Sequence, residues 1–409
     1  MNVVRFATKP DDLRIPETAM SFADEITTRE ERAMRLNSCL SRLSVGATVF
    51  AGAMAMAGTA SAADKKYQFY LSLSYVGNGW QTQAQNMMSA MAKYYSDKVD
   101  FHVQASGPVA QRQIQQINSM VQAGANAIIV YPISPTALNA AIKNACDKGV
   151  LVFTYDSTVT EPCAYNVHPD QAKMFAGATE WVAKKMNGKG NVLLVTGVPG
   201  TDTDTQRSKG IKDTLAKYPD IKVIGSVNGM WSLAVVEKVI SEFMATHKWS
   251  EIDGIVGAGG GWTAWQQETA AGIKTLTPYA TDGANATRVA MLPVGAIPDA
   301  TPPYAPMGGT GMSVDSSPET GALAFKLALK ILDGDKSIPH DVVVNSDVVT
   351  SDNIKLCKEA TWKEMSEGCN VFDPKLVSPD FTDIIYNKDT PEIGLKAAMF
   401  GEPEPKDSN

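Results

Sequence analysis

Residues 66–81 read KYQFYLSLSYVGNGWQ, and this stretch and its repeats along the chain decide the fold. Tyr67–Ser74 is a nearly continuous apolar run of strand length, Gly77 and Gly79 break it, and a helical stretch opens at Trp80. Over Trp80–Tyr95, Ala84, Met87, Met88 and Met91 fall on one face at helical spacing. The unit then recurs as strand Val99–Ala105, helix Val109–Ala123, strand Ala127–Tyr131, helix Pro135–Lys148 and strand Val150–Tyr155. Apolar strands alternating with amphipathic helices are the pattern of a parallel sheet covered on both faces.

The rhythm restarts at a helix, Gln171–Met186, followed by strand Gly190–Thr196, helix Gln206–Lys217 and strand Lys222–Asn228. Helix Leu233–Thr246, strand Gly254–Gly257, helix Thr263–Ala271 and strand Thr277–Thr281 complete the second series. A further helix, Glu319–Leu332, stops at Asp333-Gly334-Asp335. Two such series predict an α/β protein of two Rossmann-like lobes with parallel sheets, joined by crossover hinge strands near Val167, Val314 and Asn345. The first lobe is expected to take residues 64–167 and 315–345. The second takes 168–314 and an extension, 346–409, in which a helix is expected over Asn353–Glu367 and a polar tail over Glu402–Asn409. At 409 residues the chain exceeds the roughly 250–300 that one core supports, which agrees with two lobes.

Upstream, Arg35 and Arg42 precede an apolar, Ala- and Gly-rich run, Leu43–Gly58, and Ala60-Ser61-Ala62 supplies an A-x-A site. That is the layout of a cleaved secretory signal over 34–63. The run is shorter than the roughly 20 residues a membrane span needs, which disfavours the rival reading as an anchor. Residues 1–33 then read as a misassigned upstream start, with a cytoplasmic leader as the alternative. Export suits the cysteines: once Cys39 leaves with the signal, Cys146, Cys163, Cys357 and Cys369 remain. They allow three pairings. The local ones, Cys146–Cys163 and Cys357–Cys369, close the shortest loops; four reduced, buried thiols are the alternative. A net charge of −7 argues against nucleic acid as a partner, since its phosphates need a basic surface.

In open α/β sheets, ligands sit beyond the carboxyl ends of the strands. That rule selects Ser74–Gln81 after the first strand, Asp156 and Ser157 after the fourth, and in the second lobe Arg207, Trp231, Gly259 and Asp282. The inventory suits a sugar: indoles (Trp80, Trp231) cover apolar ring faces, and carboxylates and a guanidinium (Asp156, Asp282, Arg207), with Asn78, take paired hydroxyls.

At these residues the chain resembles the ribose-type, type I periplasmic sugar-binding proteins of ABC transporters, from about Lys66 to Asn345. The resemblance rests on Ser74, Asn78 and Trp80, on Asp156, on Arg207 in GVPGTDTDTQRSKG, on Trp231, and on Asp282 in Thr281-Asp282-Gly283. It implies the two-lobed fold and a periplasmic receptor that binds a sugar or polyol between its lobes and delivers it to the membrane subunits of an ABC importer. It implies a monomer, without catalytic residues, metal or cofactor. Three positions depart from the ribose pattern: Gln81 for a second aromatic, Ser157 for an arginine and Gly259 for an asparagine. Their loss is expected to enlarge the pocket or recruit Trp262, Trp265 or Asp315, and to make ribose a poor ligand.

Other classes fit less well. The glycines of DGIVGAGGGW fail the dinucleotide fingerprint, because Trp262 stands at the third glycine position. A carbohydrate-active hydrolase lacks both G-x-S-x-G and H-E-x-x-H, and His102, His168, His247 and His340 lie scattered. A repressor of this fold needs a DNA-binding head where the signal stands. A periplasmic sensor for a chemoreceptor or receptor kinase shares every feature and stays open.

Overall fold

The computed structural model describes residues 65–385 and 387–404. The expected signal over 34–63, the upstream segment 1–33 and residues 405–409 of the tail lie outside them. In chain order the first series is β1 (Tyr67–Leu73), α1 (Gly79–Tyr94), β2 (Val99–Ala105), α2 (Ala110–Gln122), β3 (Ala127–Tyr131), α3 (Asn139–Asp147), β4 (Leu151–Tyr155) and β5 (Tyr165–Pro169). The second is α4 (Gln171–Lys185), β6 (Gly190–Thr196), α5 (Asp202–Leu215), β7 (Ile221–Asn228), α6 (Leu233–Met244), β8 (Gly254–Gly257), α7 (Gly261–Ala270), β9 (Tyr279–Thr281), α8 (Asn285–Met291) and β10 (Gly311–Asp315). Then follow α9 (Thr320–Leu332), β11 (Asp341–Val344), β12 (Asp347–Thr350), β13 (Leu356–Cys357), α10 (Trp362–Ser366), β14 (Val371–Phe372) and α11 (Leu395–Phe400).

Two six-stranded sheets result, ordered β11-β5-β4-β3-β1-β2 and β12-β10-β9-β8-β6-β7. Every ladder in them is parallel except the antiparallel pairing of β12 with β10. The central strands are the apolar ones: every residue of β3 is buried, whereas the edge strands β2 and β7 carry exposed polar side chains. The chain leaves the first sheet after β5, returns after β10 to lay α9 on β4 and β5, and crosses again between β11 and β12. The strand order reverses at β1 in one sheet and at β6 in the other, and ligands of doubly wound folds bind at such switch points.

Disulfides join Cys146 to Cys163, tying the end of α3 to the approach to β5, and Cys357 to Cys369, with Cα separations of 6.4 and 5.2 Å. Each closes a short loop, a restriction of the unfolded chain worth about 3 kcal/mol.

Two expectations for the extension need correction. Asn353–Glu367 is not one helix: β13 occupies Leu356–Cys357 and pairs with β14, and only Trp362–Ser366 is helical. A continuous helix rising about 1.5 Å per residue would hold Cys357 and Cys369 too far apart to bridge. Nor does the extension belong to the second lobe alone. Ile354, Leu356 and Val371 pack with Val289, Leu292 and Ile297 of that lobe. Phe372, Phe381, Ile385, Ile393 and Ala397 are buried in the core of the first lobe. Smaller differences concern helix starts: α3 begins at Asn139 rather than at Pro135, because Ser134 Oγ accepts from the Thr136 and Ala137 amides and holds a turn there.

Candidate ligand-binding site

A cavity of about 440 Å³ lies between the lobes at the carboxyl ends of both sheets. That is within the usual range for small-molecule sites. Its first-lobe face sets Trp80 and Tyr131 beside Asn78, Gln81 and Asp156, with the fully buried Tyr155 behind the rings. Trp80 and Tyr155 stack with parallel planes and centroids 6.1 Å apart, and Tyr131 tilts against both. Trp80 Nε1 donates to the Ser316 carbonyl at 2.8 Å, which fixes the indole. Asn78 caps α1 by accepting from the Gln81 amide, and its Nδ2 reaches the Trp231 carbonyl of the other lobe at 3.4 Å. Gln81 accepts from the Tyr155 hydroxyl at 3.1 Å.

The second-lobe face combines an ionic network with the indoles of Trp231 and Trp262. Arg207, from α5, is buried and donates from Nη1 to Asp282 Oδ2 at 2.9 Å and from Nε to Gln171 Oε1 at 2.8 Å. Its Nη2 lies 3.6 Å from Asp315 Oδ1, and its guanidinium stacks over Phe175 at 4.7 Å. Gln171 Nε2 in turn donates to Asp156 Oδ1 at 2.8 Å, so one amide couples a first-lobe carboxylate to the second-lobe arginine. Burial opposes the charge on Arg207, but Asp282, Asp315 and Asp156 outweigh it and hold the guanidinium above its ordinary value. Burial drives the Asp315 carboxyl well above the usual carboxylate range, and the Asp282 charge adds to the effect. Burial also raises Asp282, against the pull of Arg207.

Backbone geometry holds the first of these indoles. Met230 and Trp231 both lie in the left-handed region, at φ +55° and +51°, a costly conformation for side-chain-bearing residues. The turn brings the indole onto Gly197, where a Cβ would stand 2.2 Å from Trp231 Cε2. Only glycine fits there.

The lining thus includes Asn78, Trp80, Gln81, Asp156, Arg207, Trp231, Gly259, Trp262, Asp282 and Asp315. Ser74 and Ser157 do not reach it. Both are fully buried, with hydroxyls that find no partner among the described residues. The left-handed turn at Asp156 (φ +61°) carries the next residue out of the lining. Trp265 is a core residue, fully buried, with Nε1 bonded to the Thr277 carbonyl at 2.8 Å. Sequence reasoning missed Tyr131, Thr203, Pro379, Asp380 and Thr382. Tyr131 ends β3 and was within reach of the strand-end rule. Among the described residues no His, Cys, Asp and Glu cluster is placed to hold a metal ion.

A family model described as periplasmic binding protein domain matches residues 69–337. The chain belongs to that family. Similar to this periplasmic binding protein are the xylitol-binding protein of Mycolicibacterium smegmatis, 27% identical over 218 residues, and the galactofuranose-binding protein YtfQ of Escherichia coli, 26% over 178. These alignments cover 52% and 42% of this chain and 62% and 55% of the relatives, so it spans little more than half their length. Among solved structures, an ABC transporter solute binding protein from Thermobispora bispora is 25% identical, with a TM-score of 0.61 over 77% of this chain and 90% of that one. The expected fold is confirmed: these lobes have the type I periplasmic binding protein architecture. The family match ends before the extension.

Proposed function

We propose that the chain is the substrate-binding component of an ABC importer, exported behind the segment 34–63 and binding a neutral sugar or sugar-like polyol between its lobes. The observation that carries this reading is the pairing of faces in one cavity. Trp80 and Tyr131, backed by the buried Tyr155, offer an apolar platform, and with them carboxylates and a guanidinium present grouped donors and acceptors. Asp156, Asp282 and Asp380 line the cavity with Arg207 as their counter-charge, so neutral guests are favoured over sugar acids and sugar phosphates. Tyr75 and Asn78 reach the Met230 and Trp231 carbonyls across the cleft, and Thr158 Oγ1 reaches Asp202 at 2.7 Å. Closure around ligand would make such contacts, shifting a hinge equilibrium toward the form that docks on a permease.

The test is a thermal-shift screen of the purified protein against xylitol, D-ribose, D-allose, L-arabinose, myo-inositol, gluconate and ribose 5-phosphate, followed by calorimetry. A ligand at 100 times its Kd adds about 2.7 kcal/mol. We expect one neutral polyol or sugar to stabilise strongly, ribose weakly and the anions not at all. Tight binding of an anion, or none by any neutral member, overturns the reading.

A further inference from the structure

The extension does more than cover the lobes, because Pro379, Asp380 and Thr382 line the cavity although they lie beyond the family match. This segment is fastened to both lobes at one point. From the first lobe, Gln83 of α1 grips the Thr382 backbone twice: Nε2 donates to the Thr382 carbonyl at 2.9 Å, and Oε1 accepts from its amide at 2.8 Å. From the second lobe, Gly283 O accepts from Thr382 Oγ1 at 3.1 Å, and the Asn285 and Ala286 amides donate to the carbonyls of Phe381 and Pro379 at 2.7 and 2.9 Å. The side-chain amide of Asn285 makes the same double grip on Phe372, at 3.0 and 2.9 Å. The lobes are shaped to receive the segment: a Cβ on Gly79 would meet Asp380 O at 2.6 Å and Oδ2 at 2.7 Å.

A cleft between two lobes is open along its sides, and here Pro379–Thr382 stands along one side, against Gly79 and Gly283. We propose that Pro379–Thr382 is a third wall of the ligand site, with Asp380 a specificity-determining contact that favours compact polyhydroxylated guests over those extended by a further ring or chain. This rests on the reading of the cleft as a sugar or polyol site. Asp380 Oδ1 accepts from Ser378 at 2.7 Å, which orients the carboxylate and leaves it further accepting positions.

The experiment compares wild type, Asp380→Ala and Gly79→Ala by calorimetry against the panel above and the methyl glycosides of its sugars. Removing a charged acceptor is expected to weaken the best compact ligand about tenfold and to narrow the gap between sugars and their glycosides. Gly79→Ala, which wedges the wall outward, should shift the same ratio in the same direction. If wild type binds a sugar or polyol and both variants keep its affinity and its glycoside ratio within twofold, the wall falls and the sugar reading stands. If wild type binds no member, both fall together. Should Asp380→Ala fail to fold, Asp380→Asn keeps the shape and removes the charge, and the same ratio decides.

Discussion

The two faces of the cleft differ in kind. On the first lobe, Trp80, Tyr131 and Tyr155 support one another by packing, and Trp80 has its polar atom tied to a carbonyl. On the second, Arg207 is held by Gln171, Asp282 and Asp315, so moving one member unbalances the rest. The first is a platform held by ring packing and one hydrogen bond to backbone. The second is an assembled network in which Arg207 is already paired with Gln171, Asp282 and Asp315. The lesson is that affinity and stability are coupled on one face and separable on the other.

Arg207→Ala should therefore have the largest effect, and on both quantities. It strands two carboxylates in a buried setting, and breaking such a pair costs about 3–5 kcal/mol of stability. Lost charge-assisted bonds to ligand should add a drop in affinity of about 10–100-fold. Denaturant unfolding without ligand and calorimetry with it measure the two; a large loss of affinity at unchanged stability would break the contrast. Trp80→Ala tests the platform. Affinity should fall on the order of tenfold or more for want of the ring face, while unfolding in the absence of ligand moves less than for Arg207→Ala, because the indole is only partly buried.

The extension meets each lobe through a buried carboxyl. Glu319 of the first lobe accepts from Thr390 Oγ1 at 2.6 Å and Asn387 Nδ2 at 3.1 Å, and burial lifts it to about 7. Asp383 of the extension lies 3.9 Å from Arg288 of the second lobe without a hydrogen-bond partner among the described residues, and burial lifts it to about 8. Both values stand above the unfolded ones of about 4, so the folded state holds more protons across this window. The contribution is complete below about pH 4 and is lost as pH rises through 7 and 8. Stability should accordingly decline between pH 5 and 9, and Asp383→Asn should flatten the upper part of the decline, by about 1–3 kcal/mol. A slope unchanged in this variant would remove Asp383 from the account.

Much of this was legible in the chain because the signals were local. Apolar runs such as AIIVY at 127–131 and glycine-broken strand ends mark a doubly wound sheet, and the strand-end rule carried Trp80, Asp156, Arg207, Trp231 and Asp282 to one cavity. The extension was not legible, since its path is set by side-chain amides from Gln83 and Asn285 gripping remote backbone, which leaves no period in the sequence. Trp265 misled because a tryptophan near a strand end serves a core as readily as a pocket. The missing information was direction: position along a strand selects a loop, but the sign of one φ decides which side chain of that loop faces ligand.

Ser157 isolates that point with the smallest expected effect. It follows Asp156 directly, at a strand end where the ligand rule selects it, yet it is fully buried and its hydroxyl has no partner among the described residues. Replacing it with alanine removes a buried oxygen that makes no hydrogen bond among the described residues, so stability should hold or rise by up to about 1 kcal/mol. Ligand affinity should stay within twofold of wild type, beside a loss of about tenfold or more for Asp156→Ala, whose carboxylate lines the cavity. Calorimetry on the two variants reads the contrast directly. Comparable losses in both would mean that the turn at Asp156 presents the serine as well, and that the first-lobe face is more polar than its rings suggest.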